Sequence, residues 1–238
     1  MKFSLSLLLL IVTTFLSSAQ DLKDVQLPSG TLVRNTKVID GVTTHTYSSG
    51  SSIPINGTPF LDQSFTPGII ELKNGDISDE LLLRYNVVLD QFQIKNNNDT
   101  LTINKPYQVK LIQLQDKEFI YDPRFSTTEE SIRRNGYLQL ILDGELSLFL
   151  KRNKKMVYDS FVSNYGGGGG TKEYYYVERN SFFCRIEGGA PFIVKNKKSF
   201  IKNIPRNQED VKAFIKSNKI NVKEKSDLIK LVNYYNSI

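Results

Sequence analysis

Between about residues 59 and 195 apolar side chains recur at every second position in short runs, and after 196 they recur at every third or fourth. The first period is that of half-buried strands and the second that of one-sided helices, so the chain reads as a sheet followed by helices. Ile69-Ile70-Glu71-Leu72-Lys73 runs into Asn74-Gly75, a two-residue hairpin signal because both residues tolerate positive φ. A tight turn there predicts Leu72 across from Ile77 and Lys73 across from Asp76. Leu81 to Asn86 and Gln91 to Lys95 continue the sheet. After the turn cluster Asn96 to Asp99, further strands are predicted at Tyr107 to Leu114 and Glu118 to Tyr121.

A second hairpin is predicted at Asp143-Gly144, with Ile141 facing Leu146, Gln139 facing Leu148 and Tyr137 facing Leu150. Both faces of this pair are largely apolar, which predicts a mid-sheet position covered on each side. Gly166 to Gly170 is a five-glycine run. It lacks the Lys-Ser/Thr of a phosphate loop, since Thr171-Lys172 stands in the opposite order, and reads as a flexible loop or hinge. Tyr174 to Val177, Phe182 to Ile186 and Phe192 to Val194 resume the strands.

Three short helices are predicted in the tail. Asn196 caps the first, with Phe200, Ile201 and Ile204 as its stripe, and Asn207 caps the second, with Val211, Phe214 and Ile215. Asn221 and Glu224 fit a capping box ahead of the third, striped by Leu228, Leu231, Val232 and Tyr235. The expectation is an α+β chain: a mostly antiparallel sheet, curved or sandwiched, with a C-terminal basic helical tail packed on it. Its divisions are a leader at 1–19, a flexible Ser/Thr/Gly-rich arm at 20–57 with room for one or two edge strands, a β-rich domain at 58–195 and the tail at 196–238.

The leader changes the expected compartment. Met1-Lys2 is followed by an apolar run from Phe3 to Leu16 and then Ser17-Ser18-Ala19, the pattern of a secretory signal cleaved before Gln20. That run falls short of the ~20 residues a spanning helix needs, so an uncleaved anchor is the lesser reading and no transmembrane segment is expected in the mature chain. Cys184 is the only cysteine, so no internal disulfide can form, and its apolar neighbours predict a small buried core residue.

Net charge is +6, and it is unevenly spread: from Lys195 onward there are 11 basic residues against 4 acidic. Lys212, Lys216 and Lys219 are candidates for contact with an anionic surface, a lipid or glycolipid headgroup layer, or an acidic envelope protein. A solvated lysine-rich face is the plainer reading. An exported chain without a recognisable binding motif has no expected nucleic-acid partner.

Little catalytic chemistry is legible. His45 is the single histidine, placed in the arm, and with one cysteine it is too few for a zinc site, which normally takes three or more ligands of these types. No cofactor, metal or catalytic residue is assigned, and no acidic loop has calcium spacing. Carboxylate-based hydrolysis stays open among 25 acids. One cluster stands out. Arg84-Tyr85-Asn86 interrupts an apolar strand, and Asp90 follows four residues later. Alternation puts Leu81, Leu83 and Tyr85 on one face and Leu82, Arg84 and Asn86 on the other. A part-buried Arg84 would need Asp90 or a bound anion, so Arg84, Tyr85, Asn86 and Asp90 are the candidate ligand-binding residues.

Pro59-Phe60-Leu61, Pro67-Gly68, the Asn-Gly hairpin and Leu82-Leu83-Arg84-Tyr85-Asn86 resemble a family of uncharacterised exported proteins common in Bacteroidota. Gly136-Tyr137 through Asp143-Gly144 to Leu150, and Leu231 to Asn236, are similar too, so the resemblance covers about 57–238. It implies a Gram-negative periplasm or outer-membrane periphery and carries no activity. The expected function is a non-enzymatic cell-envelope binding or adaptor protein. A periplasmic carrier of lipid or another apolar ligand is the alternative, and a carboxylate-based hydrolase the second.

Overall fold

The computed structural model describes residues 32–39, 42–48, 55–97, 99–125, 135–160 and 172–238; for 32–39, 42–48, 159, 160, 172 and 173 only the backbone course is described. The leader, the five-glycine run and the side chain of His45 lie outside the described residues. The strands are β1 (Leu32–Ile39), β2 (Val42–Ser48), β3 (Ile55–Asn56), β4 (Thr66–Leu72), β5 (Leu81–Asn86), β6 (Gln91–Asn96), β7 (Asp99–Ile103) and β8 (Val109–Leu114). They continue as β9 (Lys117–Asp122), β10 (Gly136–Leu142), β11 (Leu146–Lys151), β12 (Lys154–Ser160), β13 (Lys172–Glu178), β14 (Ser181–Ile186) and β15 (Phe192–Ile193). Helices α1 (Lys197–Asn203), α2 (Gln208–Ser217) and α3 (Lys225–Asn236) follow.

Twelve strands form one sheet in the order β1-β2-β7-β6-β5-β4-β8-β9-β10-β11-β14-β15, and β12-β13-β3 form a second. Every pairing within the large sheet is antiparallel, and the short β3 joins β13 in parallel. Segment 20–57, expected as a flexible arm, supplies β1, β2 and β3, with His45 in β2 across from Thr36.

The large sheet is rolled. Phe92 of β6 and Tyr137 of β10 stand five places apart in strand order, about 24 Å in a flat sheet at ~4.8 Å per strand. Their ring centroids are 4.8 Å apart. Tyr85 meets Phe92 at 4.7 Å and Phe119 of β9 at 5.3 Å, so β4 and β8 form the back of a curl closed over an aromatic cluster. This cluster, with Leu83, Ile112 and Leu114, is one core.

The helices build another. Phe200, Val211, Ile215, Leu228, Leu231, Val232 and Tyr235 bury their stripes against Leu146, Leu148 and Cys184. On the reverse face of β11 lie Phe149, Leu138, Phe183 and Phe125. All six residues of β11 are buried, as its two apolar faces predict.

Both predicted hairpins form with altered register. At the first, Leu72 N–H donates to Asp76 O (2.8 Å) and Gly75 N–H to Leu72 O (3.0 Å), which makes a three-residue loop with Gly75 at φ +94°. Ile77 therefore bridges to Glu71 rather than Leu72, a slip of one residue, and is 66% exposed. The cause lies on the other side of β4, where Lys73 N–H is taken by the Gln108 carbonyl at 2.9 Å. At the second hairpin the pairs are Gln139 with Leu150, Leu140 with Phe149 and Leu142 with Leu148, so the predicted facings at Tyr137, Gln139 and Ile141 do not occur. Leu146 is bonded elsewhere: Asn236 of α3 accepts its N–H (2.9 Å) and donates to its carbonyl (3.1 Å).

The caps are corrected in part. Asn196 caps α1 in a capping box with Ser199. Asn207 precedes α2 in the left-handed region, without a side-chain cap bond. The residue before α3 is Glu224, not Asn221, and Asp227 reaches back to the Asn221 N–H at 2.9 Å.

Candidate functional site

The strand β5 places Leu83 and Tyr85 inside the curl and Arg84 on the opposite face, as alternation requires. Arg84 and Asp90 are therefore not partners. The Arg84 guanidinium lies over Phe60 (3.6 Å to the centroid) and Phe65 (4.3 Å). It donates to Gln93 Oε1 from Nε (3.2 Å) and Nη2 (2.8 Å), and to the Gln63 carbonyl from Nη1 (3.1 Å). Aromatic faces and neutral acceptors stand where a carboxylate was expected. Partial burial lowers its pKa, but a guanidinium stays charged at any ordinary pH.

Asp90 ends the β5–β6 turn with φ 56°, a conformation aspartate tolerates. Its carboxylate meets Lys151 Nζ at 2.6 Å, and both side chains are buried. Tyr85 Oη donates to Asp90 Oδ1, and Tyr137 N–H approaches Oδ2 at 3.3 Å. Lys151 also donates to the Tyr137 carbonyl at 3.1 Å. Asn86, likewise buried, accepts the Leu89 N–H and shapes the turn. Burial first, then the negative charge of Asp90, raises the pKa of Tyr85 well above its ordinary value, so its hydroxyl stays a donor.

Asp90, held by Tyr85 in a turn that Asn86 shapes, thus forms with Lys151 and the Tyr137 backbone a latch that ties the β5–β6 turn to the start of β10 and the end of β11. Gly136 shows how closely the seam is drawn. A Cβ there would stand 1.8 Å from Asp90 Oδ2, at φ +134°. Lys151 was not singled out from sequence, although a lysine ending the run Leu146 to Leu150, apolar on both faces, was the available sign.

The cavities that open on the surface among the described residues include a polar one and an apolar one. A polar cleft of about 490 Å3 is lined by Asp143, Ser147, Arg185 and Glu187. Ser147 Oγ lies 2.9 Å from Asp143 Oδ1, while Arg185 stacks over Phe149 (4.9 Å) and stands 3.7 Å from Asp122. Asp143 and Arg185 are thereby engaged with protein groups. The second cavity, about 270 Å3, lies under the Asn74–Gly75 hairpin, at the end of β5 away from Asp90. Ile70, Leu72, Ile77, Leu81, Ile94 and Ile103 line it, with Lys105 and Asp76 also on its wall.

Lys212 and Lys216 lie on α2 and Lys219 follows its end at φ 51°. Lys212 makes a loose pair with Glu209 at 3.6 Å and is mostly exposed, as are Lys216 and Lys219. Cys184 is fully buried, which pushes its thiol pKa up.

Among the described residues no three His, Cys, Asp or Glu side chains gather as a metal ion requires, and no helix is long and apolar enough to cross a membrane. No model of a protein family matches the chain, and no curated protein or solved structure matches it either.

Proposed function

We propose that the protein is an exported, non-enzymatic binding protein of a Gram-negative cell envelope that takes a short acyl chain in the pocket under the Asn74–Gly75 hairpin. The observation that carries this reading is the pocket itself, about 270 Å3 with aliphatic side chains from β4 to β7 on its wall. At ~30 Å3 per water-sized group that volume suits a chain of about nine such units. An unfilled apolar pocket at the end of a rolled sheet is what a carrier of apolar ligands needs and a fully packed interior lacks. Lys105 offers a counter-charge for an anionic head. The basic α2 face would bring the protein to the anionic lipid or glycolipid surface that supplies the chain.

The test is isothermal titration of the purified protein with octanoate and with octanol. Saturable octanoate binding, lost in Ile94→Phe and weakened for octanoate alone in Lys105→Glu, supports the reading. The absence of binding to a folded protein overturns it.

A further inference from the structure

We propose that the polar cleft at the Asp143–Gly144 end of β11 is a binding site for a diamino acid such as lysine or ornithine, which carries one carboxylate and two ammonium groups. This goes beyond the acyl-chain reading and does not rest on it, because the cleft is a separate cavity walled by β11, β14, the turn before β11 and the turn after β14. Two turns make its rim. Leu146 pairs with Ile186, and Glu187 N–H donates to the Glu145 carbonyl at 2.9 Å, which carries the ladder one residue further. The chain then turns back, Gly189 N–H to the Ile186 carbonyl at 2.8 Å, with Gly188 at φ +73°, a conformation that suits glycine. Glu187 and Asp143 are thus presented, both exposed, from neighbouring turns. Ser147 and Arg185, register partners on β11 and β14, are more buried.

The charged groups of this cleft keep unused bonding capacity. The Arg185 guanidinium lies over Phe149 at 4.9 Å, and Asp122 stands 3.7 Å from it, beyond hydrogen-bond reach. Its N–H groups therefore have no acceptor among the described residues. A planar guanidinium held by stacking and short of acceptors suits a carboxylate, which it can take in a two-bond fork. Asp143 accepts the Ser147 hydroxyl through Oδ1 at 2.9 Å, which leaves Oδ2. Among the described residues no cation pairs with Asp143 or with Glu187. The nearby Glu145 differs, because Arg206 donates to both of its oxygens. Ser147 Oγ also approaches the Gly144 carbonyl at 3.0 Å, and its lone pairs stay open to an ammonium.

One guanidinium and two carboxylates are complemented by one carboxylate and two ammonium groups. An amino acid with a single ammonium leaves one carboxylate unmatched, and an inorganic anion meets two like charges. The volume fits as well: about 490 Å3 holds about sixteen water-sized groups at ~30 Å3 each, enough for a diamino acid of about ten non-hydrogen atoms with its waters.

The experiment is isothermal titration of the purified protein with racemic lysine and with two analogues that each lack one charge. Norleucine lacks the side-chain ammonium, and cadaverine lacks the carboxylate. Lysine is expected to bind saturably and both analogues roughly tenfold more weakly or worse. Glu187→Gln and Asp143→Asn should each weaken lysine by roughly tenfold, with the melting temperature unchanged for Glu187→Gln in its exposed turn. Arg185→Gln should bring lysine down to the level of cadaverine and leave cadaverine as it was, a selective loss that a loosened fold would not give. The absence of saturable lysine binding by the folded protein overturns the proposal. Cadaverine binding as tightly as lysine overturns it too, and so does an Arg185→Gln variant that weakens both alike.

Discussion

Asn236, in the last turn of α3, bonds both backbone polar groups of Leu146, accepting its N–H at 2.9 Å and donating to its carbonyl at 3.1 Å. A side-chain amide thus stands where β10 would otherwise pair, and it fixes the helical tail to the first residue of β11. Asn236→Ala leaves the N–H and carbonyl of a fully buried residue short of partners and is expected to cost about 1–3 kcal/mol in chemical denaturation. Asn236→Asp keeps the acceptor and loses the donor, so it should fall between the two.

The latch at the seam makes a second prediction. Removing either partner of the buried Asp90–Lys151 pair strands the other, so Asp90→Asn and Lys151→Met are each expected to destabilise by about 3–5 kcal/mol. The double variant should cost less than the sum, and a double-mutant cycle measures the difference. Additive losses would mean that the two side chains are not coupled.

The helical tail should loosen in acid. Glu145 is held below the ordinary carboxylate range by its hydrogen bonds from Arg206, and Asp227 by the Asn221 N–H and then Lys230. A carboxyl whose pKa is lower folded than unfolded adds stability above its unfolded pKa and loses it as pH falls through the folded one. Melting temperature should therefore drop below the ordinary carboxylate range, and Glu145→Gln with Asp227→Asn should flatten that drop.

Cys184 should be inert. Burial raises its thiol pKa, so little thiolate exists at neutral or mildly alkaline pH. Iodoacetamide should leave the native protein unlabelled and modify it fully in denaturant, as mass spectrometry would show.

Reversing Lys212, Lys216 and Lys219 to Glu should weaken co-sedimentation with anionic vesicles at low salt, with little change in stability for such exposed positions. Equal sedimentation of both proteins would remove the membrane-surface part of the proposed function.

Strand and helix periods made most of the architecture legible. The stripes of α1 to α3, the two-faced burial of β11 and the opposed faces of Arg84 and Tyr85 follow from local spacing. What was not legible depends on residues distant in sequence. Register at Asp143–Gly144 is decided by Asn236, and at Asn74–Gly75 by Gln108, neither of which a turn motif contains. The partner of Asp90 was sought four to six residues away and is Lys151, because only the rolling of the sheet brings β11 to that turn. The apolar pocket went unseen for the same reason, since its wall is assembled from four successive strands and the turn before β8.

The two ends of β5 are held very differently. At Tyr85 and Asn86 the curl is fastened by a buried charge pair, whereas at Leu81 it meets a cavity and a hairpin whose Ile77 stands in water. Backbone amides near Asp90 will therefore exchange with deuterium only on global unfolding, and those around Ser78 by local breathing. Such a gradient would let the proposed acyl chain enter and leave at one rim while the barrel-like roll stays closed.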